Sequence, residues 1–333
     1  VSVGGARQDG GHALMKRTTR VTTSDIARAV GLSRATVSYA LNGTPGSGIP
    51  DDTVARVKKA ARDMGYVPSA AARLLRSGNS RLVLGILPSW DLGPTYPQIY
   101  GGIGDRLERS GYEFVLQSGA ETLPRITGLL SSITPALVVS LSPLPRETIR
   151  HMSAAGILYH HTDLDAFIRL AARTQTEYLV SHGFERLAYV MPAHPMPQAL
   201  VTPRIETIRR IATDHGLPEP RILRLPYDET GFRQFQQDHL EGPDALDGLC
   251  AHTDEVAAYL LATIGRERFG PGRIGLMGIG DRPISNIGVT TVRLDIEKWA
   301  DIWSTPLLKM LGNDVDLSPP QDETMAIVRR ASA

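Results

Sequence analysis

Two hydrophobic rhythms divide the chain, and the architecture they predict changes where the rhythm does. Between residues 22 and 64, apolar positions recur at spacings of three and four. Ile26, Ala27 and Val30 make one stripe, Ala35, Val37, Ala40 and Leu41 a second, and Val54, Val57, Ala60, Ala61 and Met64 a third. This is the period of one buried helix face. Thr22 and Thr23 with Ser24 and Asp25 supply caps before the first stripe and Gly31 ends it; Ser33 caps the second and Asn42-Gly43 closes it. The third stripe, over about 51–64, stops at Gly65-Tyr66-Val67-Pro68. Two short helices joined by a tight glycine-containing turn, then a third, predict an all-α helix-turn-helix head over residues 21–68.

Beyond residue 81 short apolar runs alternate with helix-period segments. The runs fall at 82–87, 113–117, 136–141, 157–160, 187–191, 222–225, 248–251 and 274–277. Helices are predicted between them, such as 99–110, 167–182, 204–215, 254–266 and 296–311. Strand-helix alternation implies an α/β body of parallel sheets wound on both faces, and the pattern alone permits one sheet or two.

Composition adds limits. A chain of 333 residues suits two or three domains, and no apolar run approaches the roughly 20 residues of a membrane helix. The opening VSVGGARQDGGHAL is polar and glycine-rich and lacks the apolar core of a secretory signal. Residues 1–20 therefore read as a disordered extension of a cytoplasmic protein, with Met15 a candidate start of translation. Cys250, the one cysteine, lies among Leu246, Leu249 and Ala251, which predicts a buried structural thiol.

The net charge of +1 hides an uneven distribution. Between residues 16 and 81, Lys and Arg outnumber Asp twelve to four. A basic head on a nearly neutral body is the electrostatic footprint of a nucleic-acid binder. In a helix-turn-helix the exposed amino-terminal side chains of the second helix reach base edges. Arg34 has the reach for a bidentate contact to guanine and Ala35 for a thymine methyl; Ser38 and Tyr39 follow one turn on. Plain helix surface is the alternative reading of the same four residues.

The stretches VTTSDIARAVGLSRATVSYALNG and DMGYVPSAAARLLRSGNS resemble the head and hinge of the lactose-repressor and galactose-repressor (LacI/GalR) family of transcriptional regulators. The resemblance adds Thr22, Thr23, Ser33, Thr36, Asn42 and Tyr66 to the DNA contacts. It makes residues 69–80 a hinge helix and linker, with Ser69, Ala72, Arg73, Leu75 and Arg76 in the minor groove and Leu75 wedged into the central base step. So short a helix is not stable alone in water, which makes it an element that folds when two hinges meet on DNA.

For residues 81–333 the resemblance implies a two-lobed sensor domain like a periplasmic sugar-binding protein, with one lobe at about 81–165 and 294–312 and the other at about 166–293 and 313–333. MAIVRRAS is similar to the family's closing strand. Ligands in such folds sit in a cleft at the carboxyl ends of strands. By position, the resemblance assigns effector contacts to Trp90, Asp91, Tyr96, His160, Phe167, Arg204, Asp254 and Asp281; Arg204 would grip polar groups and Asp254 would accept hydroxyls. Bland readings stand beside these, since Arg204 and Asp254 also suit helix starts. Phe167 stands where an acid is common and Thr207 where the family has glycine, so a sugar, a related metabolite, a more apolar ligand and no ligand all stay open.

The implied protein is a repressor that binds a palindromic double-stranded operator as a homodimer or tetramer, with a small-molecule effector setting its affinity. No cofactor or metal is implied. His160-His161 with Asp163 and Asp165 is the nearest approach to a metal pattern, but adjacent strand residues point to opposite faces. No phosphate loop, nucleophile elbow or metalloprotease motif is present, so an enzyme is not expected. A solute-binding module without regulatory function, and a sugar or nucleoside enzyme fused to a DNA-binding head, are the rival classes.

Overall fold

The computed structural model describes residues 21–43, 46–66, 80–89, 92–119, 123–315 and 324–333. The expected amino-terminal extension, the hinge contacts Ser69, Ala72, Arg73, Leu75 and Arg76, and the candidate effector residues Trp90 and Asp91 lie outside the described residues. The chain divides into two compact units between Asn79 and Ser80.

The first unit holds α1 (Thr23–Val30), α2 (Arg34–Asn42) and α3 (Asp51–Asp63). Its sequence signals operate as capping chemistry. The Thr22 hydroxyl accepts from the Asp25 backbone N–H at 3.3 Å, and the Asp25 carboxylate accepts from the Thr22 N–H at 2.9 Å, closing a capping box. Those hydrogen bonds from Thr22 are the main reason the Asp25 carboxyl titrates below its ordinary value. Gly31 and Gly43 end α1 and α2 at φ of 67° and 62°, the left-handed conformation that glycine adopts without strain. Ile26, Ala27, Val37, Ala40, Val57 and Ala61 meet in one small core.

The second unit is built on two sheets. The four-stranded sheet has the order β2-β1-β3-β4, all parallel, from β1 (Leu82–Leu87), β2 (Glu113–Ser118), β3 (Leu137–Ser140) and β4 (Leu158–His161). α4 (Thr95–Arg109), α5 (Leu123–Ser132) and α6 (Arg146–Ala154) connect them. Alternate strand residues enter different cores. Val83, Leu137 and Val139 pack with Ile99, Tyr100, Ile103 and Leu107 of α4, whereas Leu84, Ile86 and Val138 pack with Ile126 of α5 and Met152 of α6. A strand buried on both faces needs an unbroken apolar run, which is why LVLGIL and LVVS read as they do.

The six-stranded sheet has the order β10-β9-β8-β7-β5-β6. It comprises β5 (Leu187–Pro192), β6 (Arg221–Leu225), β7 (Gly248–Ala251), β8 (Gly275–Ile279), β9 (Thr290–Leu294) and β10 (Met325–Val328), parallel except for β10 against β9. α7 (Asp165–Ser181) and α8 (Gln198–Asp214) share a core with Leu187, Tyr189, Cys250 and Met277. α9 (Glu229–Leu240) and α10 (Asp254–Ile264) share the opposite one with Ala188, Val190, Leu249 and Leu276. Both sheets are thus doubly wound. Cys250 is fully buried, and burial pushes its thiol up to about 12, so it is a structural thiol.

After β9 the chain returns to the first sheet as α11 (Ile296–Met310), which packs on α4. Gly102 makes the approach close, since a Cβ there would lie 2.7 Å from the Ala300 Cβ. Trp299 and Trp303 of α11 meet Phe167 of α7, with ring centroids 4.7 and 5.6 Å away, and Tyr96 of α4 stacks on Trp303 at 6.4 Å. This aromatic cluster joins the α4–α11 layer to the start of α7 and forms the floor beneath the candidate site.

Candidate functional site

Two surfaces carry candidate chemistry. On the first unit, α2 buries Val37 and Ala40 and turns Arg34, Ala35 and Tyr39 outward, with Tyr39 49% exposed. Ser33 caps the helix by accepting from the Thr36 N–H at 3.0 Å, so the first turn is held rigid beside the exposed Arg34. Among the described residues no carboxylate pairs with Arg34, Arg56, Lys58 or Arg62. The unit therefore presents free cations and a capped helix end, which is what phosphate and base-edge contact require.

On the second unit a cavity of about 520 Å³ opens beyond the carboxyl ends of β1, β5, β6, β7 and β8. Tyr96, Phe167 and Ile168 line one side; His194, Leu200 and Arg204 line another; Tyr227, His252, Glu255 and Arg282 complete the polar wall. Arg204 is only 7% exposed. It donates from Nη1 to the His252 carbonyl at 3.1 Å, while its Nε finds no acceptor among the described residues. Burial, with the Arg204 charge next, holds the His252 imidazole well below its ordinary value and so neutral, and the Tyr189 hydroxyl lies 2.5 Å from its Nδ1. Burial also raises the Tyr96 hydroxyl to about 12, so it stays protonated.

Residues 22–69 match the family described as bacterial regulatory proteins, lacI family, and residues 176–333 match the periplasmic binding protein-like domain. The chain's first unit carries the lacI-family DNA-binding region. Among the chain's relatives, the HTH-type transcriptional regulator CelR of Thermobifida fusca is 27% identical over 276 residues, 75% of each chain. The ribose operon repressor of Bacillus subtilis (strain 168) is 25% identical over 283 residues, 80% of this chain and 83% of the relative. In fold, the chain is similar to the Lac repressor dimer bound to operator and the anti-inducer ONPF, with a TM-score of 0.73 and 20% identity over 94% of this chain and 99% of that one. The protein is a DNA-binding transcription regulator, and these relatives are regulators rather than enzymes.

The regulator's predicted head residues divide by what their side chains already do. Arg34, Ala35 and Tyr39 are exposed. Thr22, Ser33 and Thr36 are engaged in caps, and Asn42 donates from Nδ2 to the Ser38 carbonyl. Thr23 is half-buried, and Tyr66 packs against the small core of the head.

Of the predicted effector residues, the cavity gathers Tyr96, Phe167 and Arg204. His160 is half-buried at the end of β4 and off the cavity wall. Asp254 departs from expectation: it is fully buried, with Oδ1 accepting from the Thr291 hydroxyl at 2.5 Å and Oδ2 from the Arg282 N–H at 2.6 Å. Both oxygens are occupied, so it braces the wall rather than facing the cavity. Asp281 likewise pairs with Arg330 at 2.8 Å. Sequence reasoning missed His194, Tyr227, His252, Glu255 and Arg282. Position after a strand end was the signal for His194, Tyr227, His252 and Arg282; Glu255 gave none.

Proposed function

We propose that this regulator binds a palindromic operator as a homodimer and that a small molecule in the interlobe cavity sets its operator affinity. Arg34, Ala35, Ser38 and Tyr39 read the major groove. Ser69, Ala72, Arg73, Leu75 and Arg76 act in the minor groove, with Leu75 as the wedge, and the protein works in the cytoplasm. The division into a head, a hinge at 69–80 and lobes on the two sheets belongs to the same proposal. One observation carries it: a buried arginine whose Nε has no partner among the described residues lines a ligand-sized cavity, in a chain whose other unit presents an arginine without a carboxylate partner at the start of a capped α2. A ribose operon repressor among the relatives makes a sugar or related metabolite the starting class of effector.

Repression is the simplest consequence, because a dimer seated on an operator occludes the promoter. Effector coupling of about 1–3 kcal/mol between the cavity and the operator is enough to switch it, and the coupling must be reciprocal. The test is anisotropy titration of labelled palindromic DNA with the full chain, with Arg34→Ala and with Leu75→Ala. Both substitutions are expected to weaken specific binding while leaving the melting temperature of the second unit unchanged. Unaltered operator affinity in both variants would falsify the reading.

A further inference from the structure

The polar groups on the cavity wall have an imbalance that bears on what the effector is. Among the described residues the wall carries two guanidiniums, Arg204 and Arg282, and one carboxylate, the exposed Glu255. Of the nearby acids among the described residues, Asp254 is spent on Thr291 and the Arg282 N–H, and Asp281 on Arg330. Neither wall guanidinium has a carboxylate partner among the described residues. A cation that is 93% buried with no carboxylate beside it among the described residues is costly, and a ligand that brings the counter-charge offsets that cost.

The geometry of Arg204 narrows the partner. With Nη1 taken by the His252 carbonyl and Nε buried without a partner, Nη2 is the guanidinium nitrogen left for a ligand. A cationic donor of this kind matches an oxygen of a carboxylate or phosphate. A hydroxyl brings one donor along with its lone pairs and fits such a donor-only group less well.

Two helices add to the bias. α4 and α8 begin beside the cavity, where Thr95 and Met196 reach its wall, and both follow a proline, Pro94 and Pro197, which offers no side-chain cap. Neither has an acid in its first turn, so no carboxylate of the helix itself offsets its positive end. The neutral His252 adds no competing acceptor charge, and Tyr96, Phe167 and Leu200 supply an apolar surface for the rest of a ligand.

We propose that the effector is a small organic anion whose carboxylate or phosphate docks on Nη2 of Arg204, with Arg282 as the second cation. The proposal rests on the cavity being the effector site. Its test is thermal shift on the full chain, at fixed ionic strength in a zwitterionic buffer. The probes are inorganic phosphate and matched triplets of a pentose, a hexose and a short polyol in which one carbon bears a hydroxyl, a carboxylate or a phosphate.

At millimolar concentration inorganic phosphate and the acidic members of at least one triplet are expected to raise the melting temperature; their neutral counterparts are not. The carboxylate and phosphate arms tell the two oxyanions apart. Arg204→Met is expected to weaken the response roughly 10–100-fold and, by removing the unpaired charge, to raise the ligand-free melting temperature. Should that variant fail to fold, Arg282→Gln at the half-buried edge of the wall is expected to weaken the same response. The anion assignment is overturned if neutral members stabilise as well as acidic ones, if Arg204→Met keeps the full response, or if no oxyanion acts. In the first case the effector reading survives, since a ligand still binds. If operator affinity ignores every ligand that shifts melting, it is the effector reading that fails.

Discussion

Asp254 at the start of α10 accepts the Thr291 hydroxyl proton of β9 across 2.5 Å, and Gly278 makes room for the pair, because a Cβ there would lie 2.1 Å from the Asp254 Oδ1. The carboxylate joins two elements of the sheet's ligand-facing end. Burial raises its pKa above the ordinary 3.8, against the lowering influence of Thr291 and the Arg282 N–H.

The sign of the consequence follows from linkage. A carboxyl whose folded value exceeds its unfolded value binds its proton more tightly in the folded state, so stability falls as pH rises from 3.8 through the folded value. Asp254→Asn keeps an acceptor for the Arg282 N–H and a donor for Thr291. Thermal melts across this acidic range are expected to lose that part of the pH dependence in Asp254→Asn. Asp254→Ala, which orphans both donors, is expected to cost about 2–4 kcal/mol. Identical pH profiles for wild type and Asp254→Asn would contradict the assignment.

The contact of α4 with α11 gives a second expectation. Gly102→Ala ordinarily stabilises a helix by about 0.5–1 kcal/mol, but here the new methyl meets the Ala300 Cβ at 2.7 Å. Overpacking of that kind costs roughly 1–3 kcal/mol, so the net change is destabilising. Adding Ala300→Gly opens the space. Chemical denaturation of the two singles and the double is expected to show strong coupling, with the double more stable than Gly102→Ala.

In the head, Ser33→Ala removes the oxygen that accepts from Thr36 and is expected to cost about 1 kcal/mol of head stability. Arg34→Ala, one residue on, leaves the cap intact. It is expected to lose about 1–3 kcal/mol of discrimination at one operator position, read by titrating single-base operator variants. A uniform loss across all variants would instead make Arg34 a phosphate contact.

How far the sequence reveals this molecule depends on what each residue buries against. β1 was readable to the residue, because burial on both faces writes an uninterrupted apolar run. β9 was not read: its buried Thr290 and Thr291 look polar, and only the fold supplies the Ser332, Arg330 and Asp254 groups that satisfy them. Pro203 hid the true start of α8, so Arg204 read as a helix start although it sits in the second turn of a helix beginning at Gln198. α9 has only Phe232, Phe235 and Leu240 buried, a stripe too sparse for periodicity to single out. At the site, Tyr96, Phe167 and Arg204 were legible through family resemblance, whereas the orientation of Asp254 away from the cavity depends on β9, which the pattern did not reveal.

The last expectation concerns Tyr189 and His252, neighbours across β5 and the end of β7, with 2.5 Å between Oη and Nδ1. Burial, then the Arg204 and His194 charges, depresses the imidazole well below 6.5. A neutral ring receiving the tyrosine proton on Nδ1 carries its own proton on Nε2. Because the folded value lies under the unfolded one, the histidine's contribution is complete above pH 6.5 and is lost as pH falls toward the folded value. This is opposite in sign to Asp254, so the two contributions partly cancel in mild acid. Tyr189→Phe removes the hydroxyl partner of Nδ1 at almost constant volume and is expected to cost about 1–3 kcal/mol at neutral pH. His252→Gln removes the titrating group and is expected to flatten the melting profile below pH 6.5. Because Arg204 holds the His252 carbonyl and not its ring, ligand-free Arg204→Met is expected to raise the imidazole pKa, measured by NMR titration of the ring, without breaking the tyrosine contact. An imidazole that titrates unchanged in that variant would mean the Arg204 charge does not reach it.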